Sequence, residues 1–209
     1  MATRWSLALL FFSCLPAFCQ SDQLALGKVL VASRDLGDPN FAKTVILLVH
    51  YDEDQGAVGL VLNKRTDIPI SRAFHDLKEA SGRKDPVYLG GPVELNTVLA
   101  LLKSTKKPEG ADRVFGNVYL ISDKDLLTRT LASHAEASVF HTYIGYAGWS
   151  AGQLEHEVEL GAWRIMSADA ATVFHADPDS LWDHMIQQTE LNIARLFTYT
   201  PPLPSPARR

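Results

Sequence analysis

The residues best suited to chemistry in this chain form the run Gly148-Trp149-Ser150-Ala151-Gly152. It fits G-x-S-x-G, the pattern that presents a serine nucleophile on a sharp turn between a strand and a helix. Such a serine needs a base to take its proton and a carboxylate to orient that base. Downstream lie Asp177 and His184, with Asp169 and His175 as alternatives, in the order nucleophile, acid, base. Two features weigh against a serine hydrolase. The chain ends at residue 209, so little sequence follows Ser150, and no HGGG-type oxyanion segment precedes it.

The same glycine-rich run could expose backbone N–H groups to a carboxylate or phosphate at a helix N-terminus. It lacks the Lys-Ser/Thr ending of a P-loop and the spacing of a dinucleotide fingerprint, and Glu155, Glu157 and Glu159 follow at once. Those carboxylates suit the positive end of a helix but repel an incoming anion. Seven histidines are present without an HExxH or an i, i+4 pair, so no metal site is nominated. Both cysteines, Cys14 and Cys19, fall near the N-terminus. If that segment is removed, no thiol remains for a disulfide, a zinc site or a nucleophile. Nothing calls for a cofactor. The residues favour binding over catalysis, with Phe41, Tyr146, Trp149 and Asn63 able to converge on an aromatic-rimmed groove for a protein, peptide or small ligand.

The elements that must position these residues follow from hydrophobic patterning. Lys28 to Ser33 and Thr44 to Tyr51 read as strands, near-continuous in apolar residues and so covered on both faces. Gly37-Asp38-Pro39-Asn40-Phe41 between them is a turn, and Ala57 to Asn63 reads as the hairpin partner of the second strand. Apolar residues at 70, 73, 74 and 77 predict a helix over residues 70–78. Extended segments are expected at 86–89, 98–102 and 117–121, with a turn at Gly90-Gly91-Pro92. Asp123 should cap a helix reaching about His134. A strand from Val139 is expected to run into a Gly/Ala-rich turn and then an acidic helix, followed by a closing strand at 163–166 and helices at 169–175 and 179–196.

The chain has 209 residues, is 46% hydrophobic and carries a formal charge of −4, which suits a single globular α/β domain. Arg4, an apolar run from Ser6 to Leu15, Pro16, and small residues at Ala17 and Cys19 read as a cleavable export leader over residues 1–19. Phe18 argues against lipid attachment at Cys19, since a lipoprotein signal wants a small residue there. Removing Arg4 from the 20 basic residues leaves 19 against 24 acidic ones, a net −5. A cationic footprint for nucleic acid is therefore lacking. The expected organisation is leader 1–19, linker 20–26, domain 27–197 and a Pro-rich tail 198–209, in a secreted or periplasmic protein with no membrane span after cleavage.

Four blocks carry a family resemblance. They are Asp38-Pro39-Asn40-Phe41 with Lys43-Thr44-Val45; Gly56 to Lys64; Gly90-Gly91-Pro92-Val93; and Gly145-Tyr146-Ala147-Gly148-Trp149 with Gly152-Gln153-Leu154-Glu155. In order and spacing the chain resembles the YqgE/AlgH family from about Gly27 to Leu196. The resemblance implies a mixed sheet curled into a pseudo-barrel with flanking helices, and a family without a settled biochemical activity, sometimes described as regulating transcription. It also implies that glycine is admitted where Ser150 stands, which a nucleophile could not tolerate. Two departures stand out: the export leader, since family members are as a rule cytoplasmic, and the loop Asp52-Glu53-Asp54-Gln55, which lacks a histidine found there in the family. An exported protein could not act on the chromosome. The residues expected to shape a partner or ligand site are Asp38, Asn63, Gly90, Gly91, Trp149, Gln153 and Glu155.

Overall fold

Runs of β-branched and aliphatic residues bounded by Gly, Pro and Asp give ten strands, covered by four short helices and one long C-terminal one. The computed structural model describes residues 23–198. The expected leader over residues 1–19, and the expected tail beyond Thr198, lie outside those residues.

Strands β1 (Lys28–Ala32), β2 (Val45–Asp52) and β3 (Gly56–Val61) form an antiparallel meander, with Val31 opposite Val45 and Ile46 opposite Val61. After β4 (Arg65–Pro69) and the one-turn helix α1 (Ile70–Ala73), the chain continues through β5 (Pro86–Leu89), β6 (Val93–Lys103), β7 (Asp112–Phe115) and β8 (Val118–Ile121). Helix α2 (Lys124–Ala132) leads to the long strand β9 (Phe140–Trp149), and α3 (Gln153–Glu159), β10 (Trp163–Ser167), α4 (Ala170–Val173) and α5 (Pro178–Thr198) finish the chain. The strand order is β10-β1-β2-β3-β9-β6-β8-β7, with β5 joining β4 to β9. Every pairing is antiparallel except β5 with β9. The sheet curls until Gly27, entering β1, meets Phe115 at the end of β7; a Cβ on Gly27 would lie 3.0 Å from that of Phe115. The result is the mixed sheet, curled into a pseudo-barrel with flanking helices, that the resemblance implies.

β9 organises the molecule. Its first half lies between β5 and β6, and its second half pairs with β3. Because β5 and β6 are consecutive yet flank β9 on opposite edges, the link Gly90-Gly91-Pro92 must cross the face of β9. A Cβ on Gly90 would lie 2.3 Å from the Gly145 carbonyl oxygen, and one on Gly91 2.1 Å from the Tyr146 carbonyl carbon. Only residues without side chains allow that approach. On one side of the sheet a core forms from β1–β3, Tyr143, Trp149, Trp163 and the inner face of α5; on the other, α1 and α2 cover Val87, Ala100, Ile121 and Phe140.

The structure corrects three expectations. The helix over 70–78 is a single turn to Ala73, followed by a 3₁₀ turn at Lys78–Ala80. Its start is tied to the approach to β5, with the Ile70 and Ser71 N–H groups donating to the Asp85 and Arg83 carbonyls, and Phe74 leaves helical geometry with its ring packed, partly buried, against the core under α2. Strand β9 runs further through the glycines than patterning suggests: Gly145, at φ +67°, shifts β9 from one neighbour to the next, extension continues to Trp149, and the expected turn follows at Ala151 and Gly152. Finally, β4 and β7, too short and polar to register as strands, are paired, and β6 begins five residues earlier than expected.

Candidate functional site

The end of β9 and the start of α3 hold most of the nominated residues. Trp149 closes β9 with its ring buried, not on a rim: it is 5% exposed, stacks on Phe41 at 6.2 Å and meets Trp163 edge-on at 6.1 Å. Both indole N–H groups donate to the same Glu157 oxygen, Trp149 at 3.0 Å and Trp163 at 2.8 Å. Gln153 binds the other Glu157 oxygen through its amide N–H at 3.0 Å and accepts from the Ser150 N–H at 3.1 Å. Glu155 points the other way and accepts from the Tyr51 hydroxyl at 2.8 Å. Partial burial, that bond, and the nearby charges of Glu155, Glu53 and Asp52 push the Tyr51 phenol up to about 12. The structure thus brings Trp149, Gln153 and Glu155 together. Glu157 organises them, although as a sequence position it reads only as one of several helix-dipole charges; two tryptophans flanking an acidic helix were the available signal.

Ser150 is exposed and is not among the residues of positive φ; the positive φ of this turn, +74°, belongs to Gly152. A nucleophile elbow instead strains the serine itself. Among the described residues no hydrogen bond links Ser150 to His184 or Asp177. His184 Nε2 meets the Gln188 amide at 2.8 Å, and Asp177 engages His175 through its backbone. The triad is not assembled.

Asp38 and Asn63 shape the far side of the aromatic cluster. The Asp38 side chain accepts from the Asn40 N–H at 2.7 Å and its carbonyl from the Phe41 and Ala42 N–H groups, which folds the loop that delivers Phe41. Asn63 continues the β2–β3 ladder with its amide, accepting from the Val45 N–H and donating to the Lys43 carbonyl, each at 2.9 Å. Lys64 reaches the Asn40 carbonyl; burial lowers the pKa of its ammonium, with Asp38 opposing. Gly90 and Gly91 are buried in the crossing over β9, where they let the two backbones approach.

Two features lay outside the nominated set. His141 of β9 is 6% exposed, stacked on Tyr88 at 4.6 Å and edge-on to Phe174 at 5.0 Å, and burial lowers its pKa to about 4. Between Val93 and Val98, β6 leaves its register with β9 and arches outward. The arch is held by the Thr97 hydroxyl donating to Glu94 at 2.9 Å, and it exposes Val93 and Leu95, the latter 56% accessible. Among the described residues no group of three or more His, Cys, Asp or Glu side chains could hold a metal ion, and no helix is long and apolar enough to cross a membrane.

The chain is similar to uncharacterised bacterial proteins along most of its length. A UPF0301 protein of Chlorobaculum tepidum is 35% identical over 162 residues, covering 77% of this chain and 84% of the relative. One from Streptomyces avermitilis is 34% identical over 182 residues, covering 83% and 91%. The solution structure of AlgH from Pseudomonas aeruginosa superposes with a TM-score of 0.66 at 28% identity, covering 84% of this chain and 94% of that one. The crystal structure of DIP2367 from Corynebacterium diphtheriae shares the fold, with a TM-score of 0.67 at 20% identity over 81% and 90% of the two chains. The family model described as AlgH-like matches residues 29–194, and the chain belongs to that family.

Proposed function

We propose that the protein acts by binding a partner rather than by catalysis, and that it does so in the cell envelope after loss of residues 1–19. The observation that carries this reading is the arch at 93–97, where Val93 and Leu95 stand exposed beside Tyr146. Exposed apolar side chains grouped on a raised segment mark interaction sites more often than isolated ones do. In support, among the described residues no hydrogen bond joins the catalytic candidate Ser150 to a histidine, and the glycines of the Gly90-Gly91 block serve the crossing of β9.

The first test is the N-terminal mass and compartment of the native protein. A chain starting at Gln20 in the periplasm is expected; an intact Met1 in the cytoplasm would overturn the envelope assignment and revive a regulator acting on nucleic acid. The G-x-S-x-G run keeps one enzymatic reading in play, a serine hydrolase using Ser150. Incubation with a fluorophosphonate probe should leave the protein unlabelled, whereas labelling that Ser150→Ala abolishes would establish the hydrolase instead.

A further inference from the structure

Pairing between β9 and β6 stops at Tyr146 opposite Val93, while β9 continues to Trp149 with β3 along its other edge. The Trp149 carbonyl faces β3, where it lies against Gly56. Successive residues of a strand present their N–H and C=O groups to opposite edges. Gly148 therefore turns its backbone toward the edge without a strand, and it is exposed. Beside that edge stand Val93 and Leu95 on the arch, with the Tyr146 ring lying over Gly148, 3.4 Å from where a Cβ would be.

The charge around this edge has one sign. Segments 50–58, 92–102 and 143–163 contain seven carboxylates and no lysine or arginine. The fold brings four of them to this end of β9: Gly56 and Ala57 lie against Trp149 and Ser150, Glu155 holds the Tyr51 hydroxyl beside Asp52 and Glu53, and Glu94 lies at the Tyr146 hydroxyl. Arg113 approaches Tyr51 across a groove, but its guanidinium is taken up over the Tyr119 ring with a bond to that hydroxyl at 3.3 Å.

We propose that this edge receives an extended segment of a partner protein in which apolar and basic residues alternate. The segment adds a short strand beside Ala147–Trp149, seats its apolar side chains against Val93, Leu95 and Tyr146, and points its basic side chains at the surrounding carboxylates. Strand addition draws affinity from backbone hydrogen bonds and specificity from alternate side chains, and charge complementarity selects the partner. The inference rests on the partner-binding reading and gives it a surface and a chemistry.

The test uses three fluorescein-labelled octapeptides, followed by anisotropy against the mature protein. One alternates Lys with Val, one alternates Glu with Val, and one repeats the Lys/Val sequence with alternate backbone amides methylated. The Lys/Val peptide should bind at least about tenfold more tightly than the Glu/Val peptide, weaken several-fold as salt is raised through the range that screens surface charge, and lose about tenfold to Leu95→Ser. Equal binding of the Lys and Glu peptides would overturn the charge preference, and undiminished binding of the methylated peptide would overturn strand addition. A photo-crosslinking residue at position 95 in the native envelope separates this failure from that of the broader reading. Adducts without any peptide preference overturn the occupant proposed here and leave partner binding standing; the absence of both adducts and peptide binding overturns both.

Discussion

Glu157 accepts hydrogen bonds from two indoles and an amide, so its removal strands two largely buried donors at once. An unpaired buried polar group costs about 1–3 kcal/mol. Glu157→Ala should therefore lower stability by about 2–4 kcal/mol in urea unfolding and shift tryptophan emission, since Trp149 and Trp163 lose their shared anion. His141 makes a different prediction. Its pKa is lowered to about 4 in the folded protein, first by burial, with a bond to the Ala137 carbonyl opposing, against an ordinary value near 6.5. Between those values the unfolded chain binds a proton that the folded chain refuses, so stability falls as the pH drops from about 6.5 to about 4 and this contribution is fully lost below that. The full effect is on the order of 3 kcal/mol. His141→Phe, which preserves the stack on Tyr88, should flatten this part of the stability curve relative to the parent protein. Asp169 and Glu190, whose carboxyl pKa values are lowered by the Thr172 N–H and by Arg34 respectively, lose their contributions further down the pH scale in both proteins.

At the scale of elements, legibility tracked burial. β1, β2, β3 and β8 are apolar runs that sequence patterning locates, and α2 was announced by Asp123, whose side chain accepts from the Leu126 N–H at 2.8 Å. β4 was not legible because Arg65-Thr66-Asp67 lies at a sheet margin, where pairing needs no apolar pattern. The full reach of β9 through 145–149 is hidden for a related reason. Glycines there read as breakers, yet they are spaced for backbone contact across strands, which sequence periodicity cannot express. The same holds at the candidate site: Trp149, Gln153 and Glu155 could be nominated from their block, but nothing in the order of residues reveals that Glu157 joins two tryptophans or that β6 arches at Glu94. The crossing itself is testable. Gly91→Ala would place a methyl group 2.1 Å from main-chain carbon, and with no flexible side chain to yield, the loss should exceed about 4 kcal/mol, the range of the most damaging substitutions. Loss of soluble protein or a collapse of the unfolding midpoint would register it.

For the molecule as a whole, sharing β9 between both halves of the sheet couples the two cores. Trp149, Trp163 and Trp182 all belong to the core beneath α5, so their fluorescence follows one side, while far-ultraviolet circular dichroism follows the whole. The two signals should lose amplitude at the same urea concentration, as a two-state domain requires; separated midpoints would show that the α2 side unfolds alone. The crossing at Gly90-Gly91 also constrains the order of events during synthesis. β5 and β6 are made early and joined by three residues, but the strand that belongs between them begins at Phe140 and reaches the crossing only at Gly145. Until then each keeps an unpaired edge, and closure must await a long-range insertion of the kind that slows folding. A chain truncated before Phe140 should therefore remain protease-sensitive throughout. For the export proposed above, in which the chain would be threaded through a membrane before folding, such a delay would be an advantage written into the topology itself.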